Sequence, residues 1–539
     1  MNERVPIGSA EPVLRIERLG IGLPAGADRA LAVNGADLAV YPGEILCIVG
    51  ESGSGKSLTA SAVMGLLPRG VSVVAGAIQV GGSDVAAMDR AQLRAMRGNR
   101  AAMVFQEPMT ALNPSMRIGD QIAEVFDIHR PDMRPAEVET KVLALLEDVG
   151  LPRPRELRFA YPHQLSGGQR QRVIIAMALA LDPALVIADE PTTALDVTTQ
   201  AQILRLFRDL LARRAGGILL ITHDFGVVAE VADRVVVMRE GRVVEAGLTK
   251  DVLTAPKHEY TRALIEAVPG WRFRPPTVMR AAPVLQVSGL TLTYRSTNFM
   301  GRRSEVRAID DVSFELRRSE TLGIVGESGS GKSSLARTLV AFERPQSGSI
   351  MVDGVDITRL SGVALRRHRR KTQMIFQDPY RSMNPRQKIA SLLTEGPVFH
   401  GAAPDLAISR ARELLRAVGM SEDALGRYPH EFSGGQRQRL CIARALAMEP
   451  DIIVADEVVS ALDVSVQAQV LALFEKLREE IGFSMVFVTH DLRVAANICD
   501  RIAVMQNGRI IEIGTAEQIM RSAGTDYTRQ LVASIPGDL

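Results

Sequence analysis

Cysteine is nearly absent from this 539-residue sequence: Cys47, Cys441 and Cys499 stand far apart, with no Cys-x-x-Cys spacing. That excludes a disulfide framework, a zinc ribbon and a cysteine-ligated cluster, and it predicts buried thiols in a reducing compartment. Long apolar runs are missing too. No stretch approaches the roughly 20 residues a bilayer requires, and the longest candidate, VIIAMALAL (Val173 to Leu181), stops at Asp182-Pro183. The amino-terminal MNERVPIGSAEP lacks the apolar core of a signal peptide. The chain is therefore expected to be soluble by itself, with any membrane span supplied by another chain. Charge of one sign is also lacking. A formal net charge of +2 gives no electrostatic case for nucleic-acid binding. The cluster RRHRRK (Arg366 to Lys371) reads as a solvated helix face before the strand-like TQMIFQ, so no nucleic-acid partner is expected.

What is present is a duplication. IVGESGSGKS occurs at Ile48 to Ser57 and again at Ile324 to Ser333, an offset of 276. HQLSGGQRQR (His163 to Arg172) answers HEFSGGQRQR (His430 to Arg439), and LVIADEPTTALDV (Leu185 to Val197) answers IIVADEVVSALDV (Ile452 to Val464), both at 267. EYTRALIEAVPG (Glu259 to Gly270) answers DYTRQLVASIPG (Asp526 to Gly537), again at 267. Each unit is a whole domain, which suits a chain too long for one core. WRFRPPTVMRAAP mixes proline and positive charge without apolar periodicity and reads as a linker. The expected organisation is a first domain over 1–270, a linker over 271–283 and a second domain over 284–539.

Short β-branched runs enter the glycine loops (EILCIVG, TLGIVG) and precede the acidic pairs and the histidines (GILLITH, SMVFVTH). Bounded by turns and alternating with helical patterns, they predict buried parallel sheets in α/β domains. VVVMREGRVVEAG and IAVMQNGRIIEIG read as hairpins at Glu240-Gly241 and Asn507-Gly508.

Gly50 to Ser57 fits G-x-x-x-x-G-K-[ST] between a strand and a helix. Gly53 and Gly55 let the backbone curl so that its amides face phosphate oxygens, aided by the helix dipole. Lys56 is expected to reach the β- and γ-phosphates, and the Ser57 hydroxyl to hold Mg²⁺. Gly326, Gly329, Gly331, Lys332 and Ser333 repeat the pattern. Asp189 and Asp456 are candidates to bind Mg²⁺ through water, and Glu190 and Glu457 to orient or deprotonate the attacking water.

These features fit many P-loop NTPases. LSGGQ (Leu165 to Gln169) and FSGGQ (Phe432 to Gln436), each with its serine 23 residues before the aspartate, narrow the choice. With them the chain resembles the ATP-binding cassette family over essentially its whole length, twice. The resemblance implies an α/β fold of two tandem P-loop NTPase domains. Each has a mainly parallel sheet core, an antiparallel β subdomain and a helical signature subdomain. It implies intramolecular pairing, with ATP held between one half's glycine loop and the other half's signature.

On the resemblance, Gly50, Glu51, Ser52, Gly53, Ser54, Gly55, Lys56 and Ser57 bind nucleotide, as do Gly326, Glu327, Ser328, Gly329, Ser330, Gly331, Lys332 and Ser333. So do the signature residues Ser166, Gly167, Gly168 and Gln169, and Ser433, Gly434, Gly435 and Gln436. Gln106 and Gln377 touch Mg²⁺ or water and sense the permease; Asp196 and Asp463 communicate between sites; His223 and His490, 34 residues after the aspartates, contact the γ-phosphate. Tyr294 suits the adenine-stacking position, with Phe299 a rival, whereas the first half offers Leu23 there and no aromatic before Tyr41. Val458 and Phe432 depart from the family's usual proline and leucine.

FQEPMTALNP, FQDPYRSMNP, YPHQLSGGQRQR, ALDVSVQAQ and HEYTRAL are similar to stretches of the dipeptide, oligopeptide and nickel importer ATPases. There the two cassettes are usually separate chains, so this chain resembles the fused form, as in microcin- or glutathione-type peptide importers. The cysteine-rich tail the family often adds is absent from both halves. The resemblance implies ATP and Mg²⁺ as cofactors, with two transmembrane permease subunits and a periplasmic solute-binding protein as partners. It also implies a peripheral position on the cytoplasmic face of the inner membrane. Surfaces around Glu107 to Leu165 and Asp378 to Phe432 would pass motion to the permeases. A soluble translation-type ATPase and a nickel or glutathione-like importer are the alternatives.

Overall fold

The computed structural model describes residues 11–106, 111–193, 195–213, 216–268, 270–271, 273, 282–297, 303–460 and 462–537. The chain divides into two compact units, with the main break between Val268 and Pro269. In the first, a four-stranded antiparallel sheet runs in the order Leu31–Val40, Leu14–Gly22, Ser72–Val80, Ser83–Asp84. A six-stranded sheet runs Arg242–Leu248, Arg234–Arg239, Ile45–Val49, Gly217–Ile221, Leu185–Asp189, Ala101–Val104, parallel except for the hairpin at its edge. The second unit repeats both orders, with Thr321–Val325, Ile452–Asp456 and Ser484–Thr489 at its parallel centre. The hairpins turn at Glu240-Gly241 and Asn507-Gly508, all four residues at positive φ as a type I′ turn requires.

Period-two alternation explains the layering. Ile45, Cys47 and Val49 face the core shared with the helices, while Leu46 and Ile48 face the core beneath the antiparallel sheet. Both faces are covered, so every residue of that strand is buried. The helical side comprises Ile118–His129, Pro135–Asp148 and Gly167–Leu179 in the first unit, and Ile389–Phe399, Pro404–Ala417 and Gly434–Leu446 in the second. Val138, Val142, Leu145 and Leu146 show the three-and-four spacing of one buried face. All three cysteines are buried free thiols, and burial pushes the Cys47 thiol up. In Gly362–Lys371, the helix carrying RRHRRK, Arg369 donates to the Ala341 carbonyl, and Lys371 pairs with Asp353 and Asp451. Among the described residues, no helix is long and apolar enough to cross a membrane.

Buried carboxylates locate the strand that feeds each glycine loop. Glu44, 2% exposed, accepts from the Tyr41 amide (2.8 Å) and from Arg234 (3.0 Å) on the neighbouring strand. Glu320 repeats this with the Arg317 amide (2.6 Å) and Arg501 (3.0 Å). One residue before each arginine, Asp233 and Asp500 accept from the first amides of the strands, Ile45 (2.9 Å) and Thr321 (2.8 Å). Burial pushes the Glu44 carboxyl up, against the pull of the Tyr41 amide and Arg234. Arg234→Met is therefore expected to lower stability by about 3 kcal/mol, because it strands a buried charge. Glu44→Leu/Arg234→Met should recover part of that loss. Urea denaturation midpoints of the three chains check it; an unchanged midpoint for the single variant would refute the role.

Candidate active site

Each glycine loop leaves the C-terminal end of a central parallel strand and enters a helix, Lys56–Val63 or Lys332–Leu339. Gly50, Gly53 and Gly55 have φ of +151°, +80° and +103°, and Gly326, Gly329 and Gly331 have +154°, +83° and +105°. Space is short as well: a Cβ on Gly50 would lie 2.2 Å from the Met238 carbonyl oxygen, and one on Gly331 2.1 Å from that of Ala308. Backbone conformation favours glycine at all six corners, and lack of space adds to it at Gly50, Gly55, Gly326 and Gly331. Inside the curl, the Lys56 ammonium donates to the carbonyls of Gly50 (2.7 Å) and Glu51 (2.9 Å) and to Ser54 Oγ (3.3 Å). Lys332 does the same to Gly326 (2.7 Å) and Glu327 (2.8 Å). Burial lowers the Lys332 pKa, with Glu457 and Asp456 opposing. Ser54 and Ser330 are buried in the loops, while Ser52 and Ser328 are exposed on them.

The structure brings the predicted acidic and switch residues to the same place in each unit. The Ser57 hydroxyl donates to Asp189 Oδ1 (3.1 Å) and Ser333 to Asp456 Oδ1 (3.2 Å). Glu190 and Glu457 follow these strands in left-handed backbone (φ +46° and +48°). Gln106 Nε2 donates to Glu190 (2.9 Å) and His223 Nδ1 lies 3.3 Å from it; for Gln377, His490 and Glu457 the distances are 2.7 and 3.6 Å. The hydroxyl beside the glutamate is used differently. The Thr193 hydroxyl donates to the Glu190 carboxylate (3.0 Å), whereas Ser460 donates to the Glu457 main-chain carbonyl (2.9 Å).

Burial pushes Asp189 up to about 6, with Ser57 and Lys56 opposing and Glu190 adding to it; Asp456 is raised for the same main reason. Burial also works to raise Glu190 and Glu457, but their histidines and lysines, with Thr193 for Glu190, outweigh it and hold both below the ordinary carboxylate range. Burial would lower His490, but bonding to Glu457 wins and raises it. Adjacent carboxyls are thus driven apart, one toward the protonated form and one kept ionised.

Ser166 and Ser433 cap the long helices Gly167–Leu179 and Gly434–Leu446, each in a capping box with Gln169 or Gln436. A Cβ on Gly168 would lie 2.4 Å from Thr199, and one on Gly435 2.5 Å from Val466. Gly167 and Gly434 begin the same helices. Among the described residues, no hydrogen bond joins these signature side chains to the loop cluster of their own unit. Asp196, just before the helix Val197–Arg213, accepts from Thr198 (2.7 Å), and Asp463 sits at the N-terminal boundary of Val464–Ile481 without a side-chain capping bond. Tyr294, on the strand Pro283–Thr297, is half exposed, its hydroxyl 3.5 Å from Ser334 beside the loop. Leu23 lies just past Leu14–Gly22, and Phe299 falls outside the described residues. Sequence reasoning passed over Thr193 and Arg29, whose guanidinium donates to the Gly53 carbonyl. It also passed over Tyr260 and Tyr527, whose hydroxyls reach the loops. The signal for the tyrosines was their identity in both copies of YTR.

With Asp189 titrating near 6 folded and near 3.8 unfolded, the folded state holds the extra proton between those values. The stability this provides is complete below about pH 4 and is lost as pH rises through 6. Asp189→Asn, neutral at all pH, is expected to raise stability by roughly 1–3 kcal/mol at pH 8 and not at pH 4. Denaturation midpoints at both values check it; equal shifts would refute the burial argument.

Residues 33–193 and 309–460 match the ABC transporter family, and residues 244–282 match the oligopeptide/dipeptide transporter C-terminal region. That second match includes 271–282, assigned above to a linker. The glutathione import ATP-binding protein GsiA of Escherichia coli (strain K12) is 44% identical over 563 residues, spanning 97% of this chain and 89% of that protein. Its namesake in Salmonella choleraesuis (strain SC-B67) is 43% identical over 559 residues, with the same coverage of 97% and 89%. A solved dimeric cassette, MJ0796 in a post-hydrolysis state with ADP and Pi, is 29% identical, covering 43% of this chain and 98% of that one at a TM-score of 0.39. The chain belongs to the ABC transporter family, carrying two of its ATP-binding cassettes and an oligopeptide/dipeptide transporter C-terminal region.

Proposed function

We propose that this chain is the ATP-hydrolysing subunit of a bacterial importer that takes up small peptides through two partner permeases. The observation that carries this is the doubled cluster: a buried lysine curled into a glycine loop, a serine on a buried aspartate, and a glutamate gripped by glutamine and histidine. Relatives named for glutathione import favour a glutathione-like tripeptide as the solute. The C-terminal region match supports the peptide class. A periplasmic solute-binding protein delivers the solute, and the chain sits peripherally on the cytoplasmic face of the inner membrane.

The loop amides and Lys56 or Lys332 take the β- and γ-phosphates of ATP. Ionised Glu190 and Glu457, kept below the ordinary range, accept a proton from the attacking water, and His223 and His490 orient them and face the γ-phosphate. Gln106 and Gln377 hold the other carboxylate oxygen. Mg²⁺ suits Ser57 with Asp189 and Ser333 with Asp456, because hydroxyl and carboxylate oxygens are hard donors and a cation offsets the charge that burial disfavours. When bound, the ion neutralises phosphate charge. The signature residues at 166–169 and 433–436 complete nucleotide binding, and Asp196 and Asp463 link the sites.

Steady-state ATPase of the chain with its permeases in lipid tests the reading. Glu190→Gln and Glu457→Gln should each keep about half of the wild-type rate, since the glutamine, histidine and serine–aspartate contacts recur in both clusters. The double variant should fall by about a hundredfold or more, the usual worth of a general base. Permeases with a glutathione-like tripeptide and its binding protein should stimulate the wild type. Absence of stimulation by any permease counts against an importer, and a double variant at wild-type rate counts against the glutamates.

A further inference from the structure

In each unit the segment after the edge hairpin returns to the glycine loop through one tyrosine. Tyr260 Oη accepts from the Glu51 amide (3.2 Å), and Tyr527 Oη from the Glu327 amide (3.3 Å). Burial, with the charge of that glutamate adding to it, pushes both phenols up to about 12, so they stay protonated at neutral pH. The carbonyl of the same glutamate takes the lysine ammonium, at 2.9 Å in the first unit and 2.8 Å in the second. The first corner of the loop is therefore held at its N–H by a tyrosine and at its C=O by a lysine. Rotating that corner would re-aim the amides that follow it.

The tyrosines are delivered by a duplicated hook. Glu245 on Arg242–Leu248 accepts from the amides of Lys257 (2.8 Å) and His258 (3.0 Å), at the start of the helix Glu259–Glu266. Glu512 on Arg509–Thr515 accepts from Gly524 (2.6 Å) and Thr525 (3.1 Å), before Asp526–Ala533. The residues donating the amides differ between halves, yet carboxylate, turn and tyrosine coincide at the 267 offset. Elsewhere the surroundings diverge: Arg239 lies over the Tyr260 ring (4.9 Å), where the second half has Gln506. The hook and hydroxyl are the shared parts.

We propose that Tyr260 and Tyr527 are positioning residues for the phosphate loops, through which the C-terminal segment of each half sets nucleotide affinity. This rests on the ATP-binding reading of the loops. The test is equilibrium titration of the full chain with a non-hydrolysable MgATP analogue, for wild type, Tyr260→Phe/Tyr527→Phe and Glu245→Ala/Glu512→Ala. Wild-type binding of two nucleotides per chain tests the loop reading separately; no binding would sink that reading before the tyrosines are in question. The phenylalanine variant keeps the ring and its packing. It should keep its stoichiometry while Kd rises by about three- to tenfold, the worth of one hydrogen bond per loop. The alanine variant, with both hydroxyls intact, should weaken binding in the same direction. A merely structural hydroxyl would instead lower stoichiometry through loss of folded protein and leave Kd unchanged. A phenylalanine variant within twofold of wild type overturns the proposal. Unchanged affinity in the alanine variant overturns control by the segment.

Discussion

The Lys56 ammonium lies 2.7 Å from the carbonyl oxygen of Gly50 and 2.9 Å from that of Glu51, and Lys332 stands in the same relation to Gly326 and Glu327. A cation this deeply enclosed must be partnered, and here the partners are main-chain oxygens of its own loop. That requirement bends the loop into a ring, which in turn demands glycine at corners where a Cβ would strike neighbouring backbone. It also fixes what surrounds the ring. The strand feeding it is held at its first amide by Asp233 or Asp500, and the preceding turn by the Glu44–Arg234 or Glu320–Arg501 pair. The parallel sheet then carries the aspartate, glutamate and histidine to the same end, because parallel neighbours all finish on one side.

Within that arrangement, two adjacent carboxyls are given opposite tendencies. Asp189 is buried against a serine hydroxyl and pushed toward protonation; Glu190 turns through left-handed backbone to meet a histidine and a glutamine and stays ionised. The same holds for Asp456 and Glu457. The left-handed turn is a backbone conformation glutamate seldom adopts, and it is kept in both halves, at φ +46° and +48°. The halves part company nearby. Thr193 bonds the carboxylate that Ser460 leaves alone, and Val458 stands where the first half has Pro191. The two glutamates are thus held by unequal sets of partners.

Much of this was legible in the chain itself. The doubled decapeptide, the signature serines, the acidic pairs and the histidines recur at nearly constant offsets, and each lies where a strand or helix pattern ends. The hairpin turns were readable from Glu240-Gly241 and Asn507-Gly508, and the inert cysteines from their isolation. Local chemistry suffices for such features: a glycine run, a capping serine or a β-branched run means much the same in any fold.

Tyr260, Tyr527, Arg29 and Thr193 were different. Nothing in YTR says that its hydroxyl meets an amide 209 or 200 residues away, and nothing in PTTALD says which hydroxyl bonds a carboxylate and which a carbonyl. The amino-acid order determined two α/β cassettes, their loops and the kinds of residue gathered at each strand end, because periodicity and turn chemistry act over a few neighbours. Only the tertiary structure decided which carboxyl is raised and which lowered, and which distant side chains brace the loop. Burial, charge proximity and hydrogen-bond partners exist only once segments far apart in the chain are packed together.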